Sequence, residues 1–214
     1  MADAVLTPDL LLHAYRIGIF PMSETRESDD VFWVDPRQRG ILPLEGLHLS
    51  RSLRRRLRRE TYRVSYDTAF RDVVRGCADR EETWINDTIF ALYGALFDRG
   101  NAHSCEVWQG DQLVGGVYGV AIGGAFFGES MFSRATDASK VALAYLVDRL
   151  VTCGFVLFDT QFITDHLATL GAIEIERSEY HALLREALGV TAVFEADASV
   201  PSPQDLIQRN TQTS

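Results

Sequence analysis

The chain has 214 residues, 46% hydrophobic and 24% charged, enough for one sizeable core and a small additional domain. No apolar run is long enough to cross a bilayer, and the first residues, Met1 to Asp9, lack the basic and apolar regions of a secretory signal. Cys77, Cys105 and Cys153 show no metal-ligand spacing and no disulfide framework, so reduced thiols in the cytoplasm are expected.

The formal charge of −9 argues, as a sum, against a nucleic-acid partner. Its distribution argues the other way. Six arginines fall between Arg51 and Arg59, in a chain whose only lysine is Lys140.

In chain order, Thr7 and Pro8 open a helix that Gly18 closes, and Phe20-Pro21-Met22 leads into a polar loop through Asp30. Phe32 and Trp33 begin a short extended piece broken by Pro36. Ser50 caps a helix over Arg51–Glu60, with Leu53 and Leu57 on one face and Arg51, Arg54, Arg55, Arg58 and Arg59 on the other. Only Glu60 offers local neutralisation, so this face suits phosphate.

A strand over Tyr62–Tyr66 and helices over Ala69–Cys77 and Asp87–Arg99 follow. Ser104–Gln109, Gln112–Ile122 and Ala125–Phe132 read as three strands joined by tight glycine turns. Asp137 is expected to cap a long helix to Cys153, Phe155–Gln161 to be a buried strand, Asp165–Leu170 a short helix and Ile173–Glu176 a strand. The polar segment 195–214 is expected to be a disordered tail.

Three antiparallel strands, a long helix, a strand, a helix and a strand make an α+β (mixed α/β) acyltransferase-like fold of the N-acetyltransferase type. The expected organisation is a small N-terminal domain over 1–61 and a catalytic domain over 62–194. The junction Ser133-Arg-Ala-Thr-Asp-Ala-Ser-Lys140 has no glycine to cradle a pyrophosphate, which disfavours a CoA thioester donor. Another activated acyl donor is then needed.

Eight segments, in order, resemble the leucyl/phenylalanyl-tRNA–protein transferase family. They are Tyr15-Arg-Ile-Gly-Ile-Phe-Pro21, Leu47-His-Leu-Ser-Arg-Ser-Leu53, Thr83-Trp-Ile85 and Ala102-His-Ser-Cys-Glu-Val-Trp108, then Leu113-Val-Gly-Gly-Val-Tyr-Gly119, Phe127-Gly-Glu-Ser-Met-Phe-Ser133, Ala138-Ser-Lys140 and Asp159-Thr-Gln161. The resemblance implies transfer of Leu or Phe, and less readily Met, from aminoacyl-tRNA to an N-terminal Arg or Lys. The product would be marked for N-end-rule degradation. No metal, CoA or other cofactor is implied, and the chain is expected to act as a monomer away from membranes.

By the same resemblance Gln161 contacts the reacting amine and Asp159 holds or polarises it, with the substrate's ribose hydroxyl or a water as candidate proton acceptor. A neutral amide is a very poor base, so Gln161 orients the amine through its carbonyl oxygen. Phe126, Phe158, Leu146 and Val117 match positions lining the Leu/Phe pocket. Trp84 and Met22 are candidates to cover the terminal adenosine, and Arg51, Arg55, Arg58 and Arg59 match acceptor-stem contacts. Glu129, a carboxylate inside an apolar strand pair, bonds the aminoacyl α-amine, receives the acceptor's cationic side chain, or forms a buried structural pair with an arginine.

Two departures stand out. Many members carry Cys where this chain has Thr160, and strand alternation places that side chain away from the site. Some carry Trp where this chain has Met22, which stacks less well on a base. His103 and Ser104 are adjacent on a strand and face opposite sides, so no Ser/His dyad is expected. His48 and His166 read as helix-entry or packing residues. The competing readings are a CoA-dependent N-acetyltransferase, an enzyme building peptide bridges on a cell-wall precursor, and a non-catalytic tRNA- or peptide-binding adaptor.

Overall fold

The computed structural model describes residues 6–23, 31–80 and 83–212. A mixed seven-stranded sheet carries the site, with helices on both faces. Its strands are β3 (Gln38–Ile41), β4 (Arg63–Tyr66), β5 (Ala102–Gln109), β6 (Gln112–Ile122), β7 (Ala125–Ser133), β8 (Leu157–Gln161) and β9 (Ile173–Glu176), in the order β4-β5-β6-β7-β8-β3-β9. A separate ribbon pairs β1 (Phe20–Ser23) with β2 (Val31–Val34). Phe20-Pro21-Met22, read from sequence as leading into a loop, forms most of β1, with Met22 paired across from Phe32. The rest of that expected loop, 24–30, lies outside the described residues.

One face of the sheet packs against α5 (Ala138–Thr152), which has Leu143 and Leu146 buried. The arginine-rich α2 (Arg51–Arg58) docks beside it by burying Leu53 and Leu57, each contributing about 1.5–3 kcal/mol. The opposite face carries α1 (Pro8–Arg16), α3 (Phe70–Ala78), α4 (Asp87–Asp98) and α7 (Arg177–Leu188), packed around Tyr15, Phe70, Tyr93 and Phe127. The short α6 (Asp165–Thr169) is capped by Thr164 and followed by Gly171.

Several expectations change here. The strand Gln38–Ile41 has too little apolar alternation to be read from sequence, yet it enters the sheet between β8 and β9, so residues 1–61 contribute directly to it. The segment 195–214, expected to be disordered, instead contains α8 (Pro203–Gln212). Its Leu206 and Ile207 are buried against the α2 and α5 side, and Asn210 donates to the Leu47 carbonyl at 2.8 Å. These two consecutive apolar residues, with Arg209 paired to Asp148, dock the helix on that surface. Finally, Asp137 precedes α5 in a left-handed conformation (φ 63°) and makes no side-chain cap. Ser133 Oγ accepts from the Ser139 amide at 3.2 Å, while Asp137 faces Arg56 and Lys140.

Candidate active site

All neighbouring strands are antiparallel except β7 and β8, which run parallel over only three registered pairs, ending at Phe127 with Asp159. Beyond that pair the strands separate, and Glu129, Thr160 and Gln161 line the opening. Gly128 permits the close approach just before it: a Cβ there would meet Phe158 Cε2 at 2.6 Å.

Both strands are bulged where they part. On β7, Gly119 faces Gly128 and Tyr118 faces Ser130, so Glu129 is the extra, unpaired residue. On β8, Gly40 faces Gln161 and Ile41 faces Asp159, leaving Thr160 as the extra residue. Gln161 follows with φ 58°, a left-handed conformation that side chains rarely adopt. Strand alternation therefore fails at this point. Thr160 lines the cleft rather than facing away, and its buried Oγ1 has no partner among the described residues.

Asp159 is fully buried and does not reach the cleft. Arg39, from β3, donates Nε to Asp159 Oδ1 at 2.9 Å and Nη2 to Oδ2 at 2.6 Å. Tyr180 of α7 donates to Oδ2 at 2.7 Å, and the Gln161 amide donates to Oδ1 at 2.8 Å. The guanidinium lies between the rings of Phe20 (4.5 Å) and Tyr180 (4.3 Å) and also donates to the Gly18 carbonyl. Burial opposes its charge, but Asp159 holds it above the ordinary arginine value. Asp159 thus fixes the backbone of Gln161.

Among the described residues, no arginine pairs with Glu129. Tyr15 donates to Oε1 at 2.7 Å, Tyr93 to Oε2 at 2.6 Å, and Gln161 Nε2 to Oε1 at 3.3 Å. Burial pushes this carboxyl up to about 7, against the two phenol hydrogen bonds, which favour its charged form. Burial holds both phenols well above their usual range, so they stay neutral donors.

Glu129 and Gln161 line a cleft of about 570 Å³. Its walls are otherwise mostly apolar: Met22, Trp84, Val117 and Phe158, as expected, together with Phe20, Met131, Leu143 and Leu167. Phe126 and Leu146, expected to line it, are fully buried behind it in the core. His166, expected only to pack, also lines it; burial, then Lys140, lowers its pKa. Arg51, Arg55, Arg58 and Arg59 are exposed on the outer face of α2, whereas Arg54 bonds the Leu49 carbonyl and Arg56 faces Asp137. Arg39, Tyr15, Tyr93 and Tyr180 were not singled out from sequence as site residues. A lone arginine in a short strand and tyrosines on helical stripes carry no local signal of convergence.

The fold is acyltransferase-like. The solved structure of FemX superposes with a TM-score of 0.51 at 12% identity, covering 78% of this chain and 66% of that one, a likeness of fold alone. The family model described as leucyl/phenylalanyl-tRNA protein transferase matches residues 41–185, and the one described as its N-terminal domain matches residues 4–37. The leucyl/phenylalanyl-tRNA–protein transferase of Cereibacter sphaeroides is 61% identical over all of both chains. That of Ruegeria pomeroyi is 64% identical over 98% of this chain and 99% of its own. The chain belongs to the leucyl/phenylalanyl-tRNA–protein transferase family.

Proposed function

We propose that this chain takes the leucyl or phenylalanyl group, and less readily methionyl, from aminoacyl-tRNA and joins it to the α-amine of an acceptor protein beginning with Arg or Lys. The product then carries a destabilising N-terminal residue, and the reaction runs in the cytoplasm. What carries the reading is a mostly apolar cleft, sized for a side chain and a nucleoside, that includes the polar pair Glu129 and Gln161.

The donor is an ester, so aminolysis to an amide is downhill and needs no ATP. Positioning is the main requirement, and can supply up to about 7–11 kcal/mol. Val117 and Phe158 would meet the Leu or Phe side chain, and Trp84 and Met22 the terminal adenosine. Gln161 would orient the incoming amine, with its left-handed backbone held by Asp159. The negative potential of Glu129 draws a cationic acceptor terminus toward the ester. Arg51, Arg55, Arg58 and Arg59 would hold acceptor-stem phosphates, contacts without base information that suit several tRNA isoacceptors.

The start of α5 opposes the CoA reading. The turn before α5 has no glycine and carries a carboxylate, Asp137, which occupies the nearby charges of Arg56 and Lys140 that a pyrophosphate would need.

The test is transfer of labelled leucine from Leu-tRNA to a peptide beginning with Arg, beside one beginning with Ala. Label on the Arg peptide alone is expected. Label on neither, with tRNA still bound, would leave an adaptor or a cell-wall bridging enzyme.

A further inference from the structure

Tyr15, Tyr93 and Glu129 form a closed ring of three short oxygen contacts. The Tyr15 and Tyr93 hydroxyls lie 2.7 Å apart, Tyr15 is 2.7 Å from Oε1 and Tyr93 is 2.6 Å from Oε2. Each phenol brings one proton. With Glu129 ionised, two protons serve three contacts, and one pair of oxygens faces each other at hydrogen-bond distance with nothing between. In that state both phenols donate to the carboxylate, and a proton taken up by Glu129 is accommodated in the same ring by reversing the Tyr93 contact, Glu129 then donating to Tyr93 and Tyr93 to Tyr15.

We propose that Glu129, closed into a ring with Tyr15 and Tyr93, is the proton acceptor for the acceptor's α-ammonium group. The inference rests on the aminoacyl-transfer reading. In the step, an N–H bond of the ammonium breaks and its proton goes to a Glu129 oxygen. The freed lone pair of the neutral amine then forms the C–N bond at the ester carbonyl. The C–O bond to the ribose breaks, and the amine's second proton goes to that departing oxygen. Glu129 returns its proton to water as product leaves, so one proton is released per amide formed.

The surroundings fit this role. Glu129 is the bulged residue of β7, lining the cleft beside Gln161, which orients the amine. The charged and titratable groups around it come from every neighbouring element. Tyr15 is on α1, Tyr93 on α4 and Tyr118 on β6; Arg80 is on the cleft wall after α3, with Asp159 of β8 and Arg39 of β3 behind Gln161. Asp159 and Arg39 oppose each other in sign, and their pairing keeps either from dominating. The carboxyl, raised by burial to about 7, is close to the range of a free α-amine, about 7.7–8.0, so the proton moves between nearly matched sites. Tyr15 and Tyr93 act through Glu129 and are positioning residues.

The experiment has two readouts on the full chain. The first is the infrared C=O stretch of a carboxylic acid followed against pH without substrate. A band titrating near 7 is expected in the wild type and is expected to vanish in Glu129→Gln. The second is the single-turnover transfer rate from Leu-tRNA to an Arg peptide against pH, corrected for spontaneous ester hydrolysis. Tyr15→Phe and Tyr93→Phe each remove one donor to the carboxylate and keep the ring packing. Each should move the infrared titration and the rate limb together to higher pH, by about one unit. Glu129→Gln should lose about 10²–10⁴ in rate near pH 7. A uniform rate loss with the limb unmoved in both Phe variants, or a wild-type rate in Glu129→Gln, would overturn the proton unit while leaving the transferase reading intact. Absence of any transfer by the wild type would overturn the reading on which it rests.

Discussion

Arg39 and Asp159, 120 residues apart in sequence, form a bidentate ion pair that is 1% and 0% exposed, directly beneath the Gln161 backbone. A pair this deep is costly to break from one side, because the remaining charge stays buried. Asp159→Ala and Arg39→Met are each expected to lower unfolding free energy by about 3–5 kcal/mol, read by urea denaturation. The double variant Arg39→Met/Asp159→Leu should recover a good part of that stability and still transfer poorly, because the Gln161 amide has lost its acceptor. Full activity in a stable double variant would show that the pair only fills the core.

Gln161 separates conformation from chemistry. Its left-handed backbone favours glycine, so Gln161→Gly should stay folded and gain about 1 kcal/mol. The same variant should transfer much more slowly, since the group that orients the amine is gone. Thermal unfolding and a transfer assay on one preparation decide it, and wild-type turnover would remove Gln161 from the site.

Glu129 makes stability depend on pH. Its folded carboxyl titrates near 7 against 4.5 for the unfolded group, so the folded state binds the proton more tightly. The stability from this group is fully present below about pH 4.5 and is lost as pH rises through about 7, by about 3 kcal/mol in all. Comparing denaturation of wild type and Glu129→Gln at pH 5.5 and pH 8, the wild type should lose more stability on going to pH 8. Parallel behaviour of the two would contradict the shifted carboxyl.

The outer face of α2 predicts a salt effect. Arg51→Ala, Arg55→Ala, Arg58→Ala and Arg59→Ala should each weaken tRNA binding and reduce the slope of log affinity against log salt by about one. Stability should change little, as these side chains are exposed. An unchanged slope would make the face a solvated surface.

Leu206 tests the docking of α8. It is 1% exposed in the core cluster that includes Leu47 and Ala144, so Leu206→Ala should cost about 2–5 kcal/mol by denaturation. A loss below about 0.5 kcal/mol would mean that the helix contributes nothing to the core.

The local elements were written in the sequence wherever the signal is local. Thr7 and Ser50 cap helices by accepting from Leu10 and Leu53 amides, the glycine turns joining β5, β6 and β7 fall where expected, and Leu53 and Leu57 bury as the helical period requires. Motif order carried the family and put Asp159, Gln161 and Glu129 in one neighbourhood. Only the tertiary structure decided where each sits and what it touches. The bulges at Glu129 and Thr160 reset strand alternation, bringing Thr160 into the cleft and leaving Asp159 buried on Arg39. A bulge depends on the partner strand's register, and Arg39, Tyr15, Tyr93 and Tyr180 meet these carboxylates only through contacts between distant parts of the chain. A period read along one segment holds no information about either.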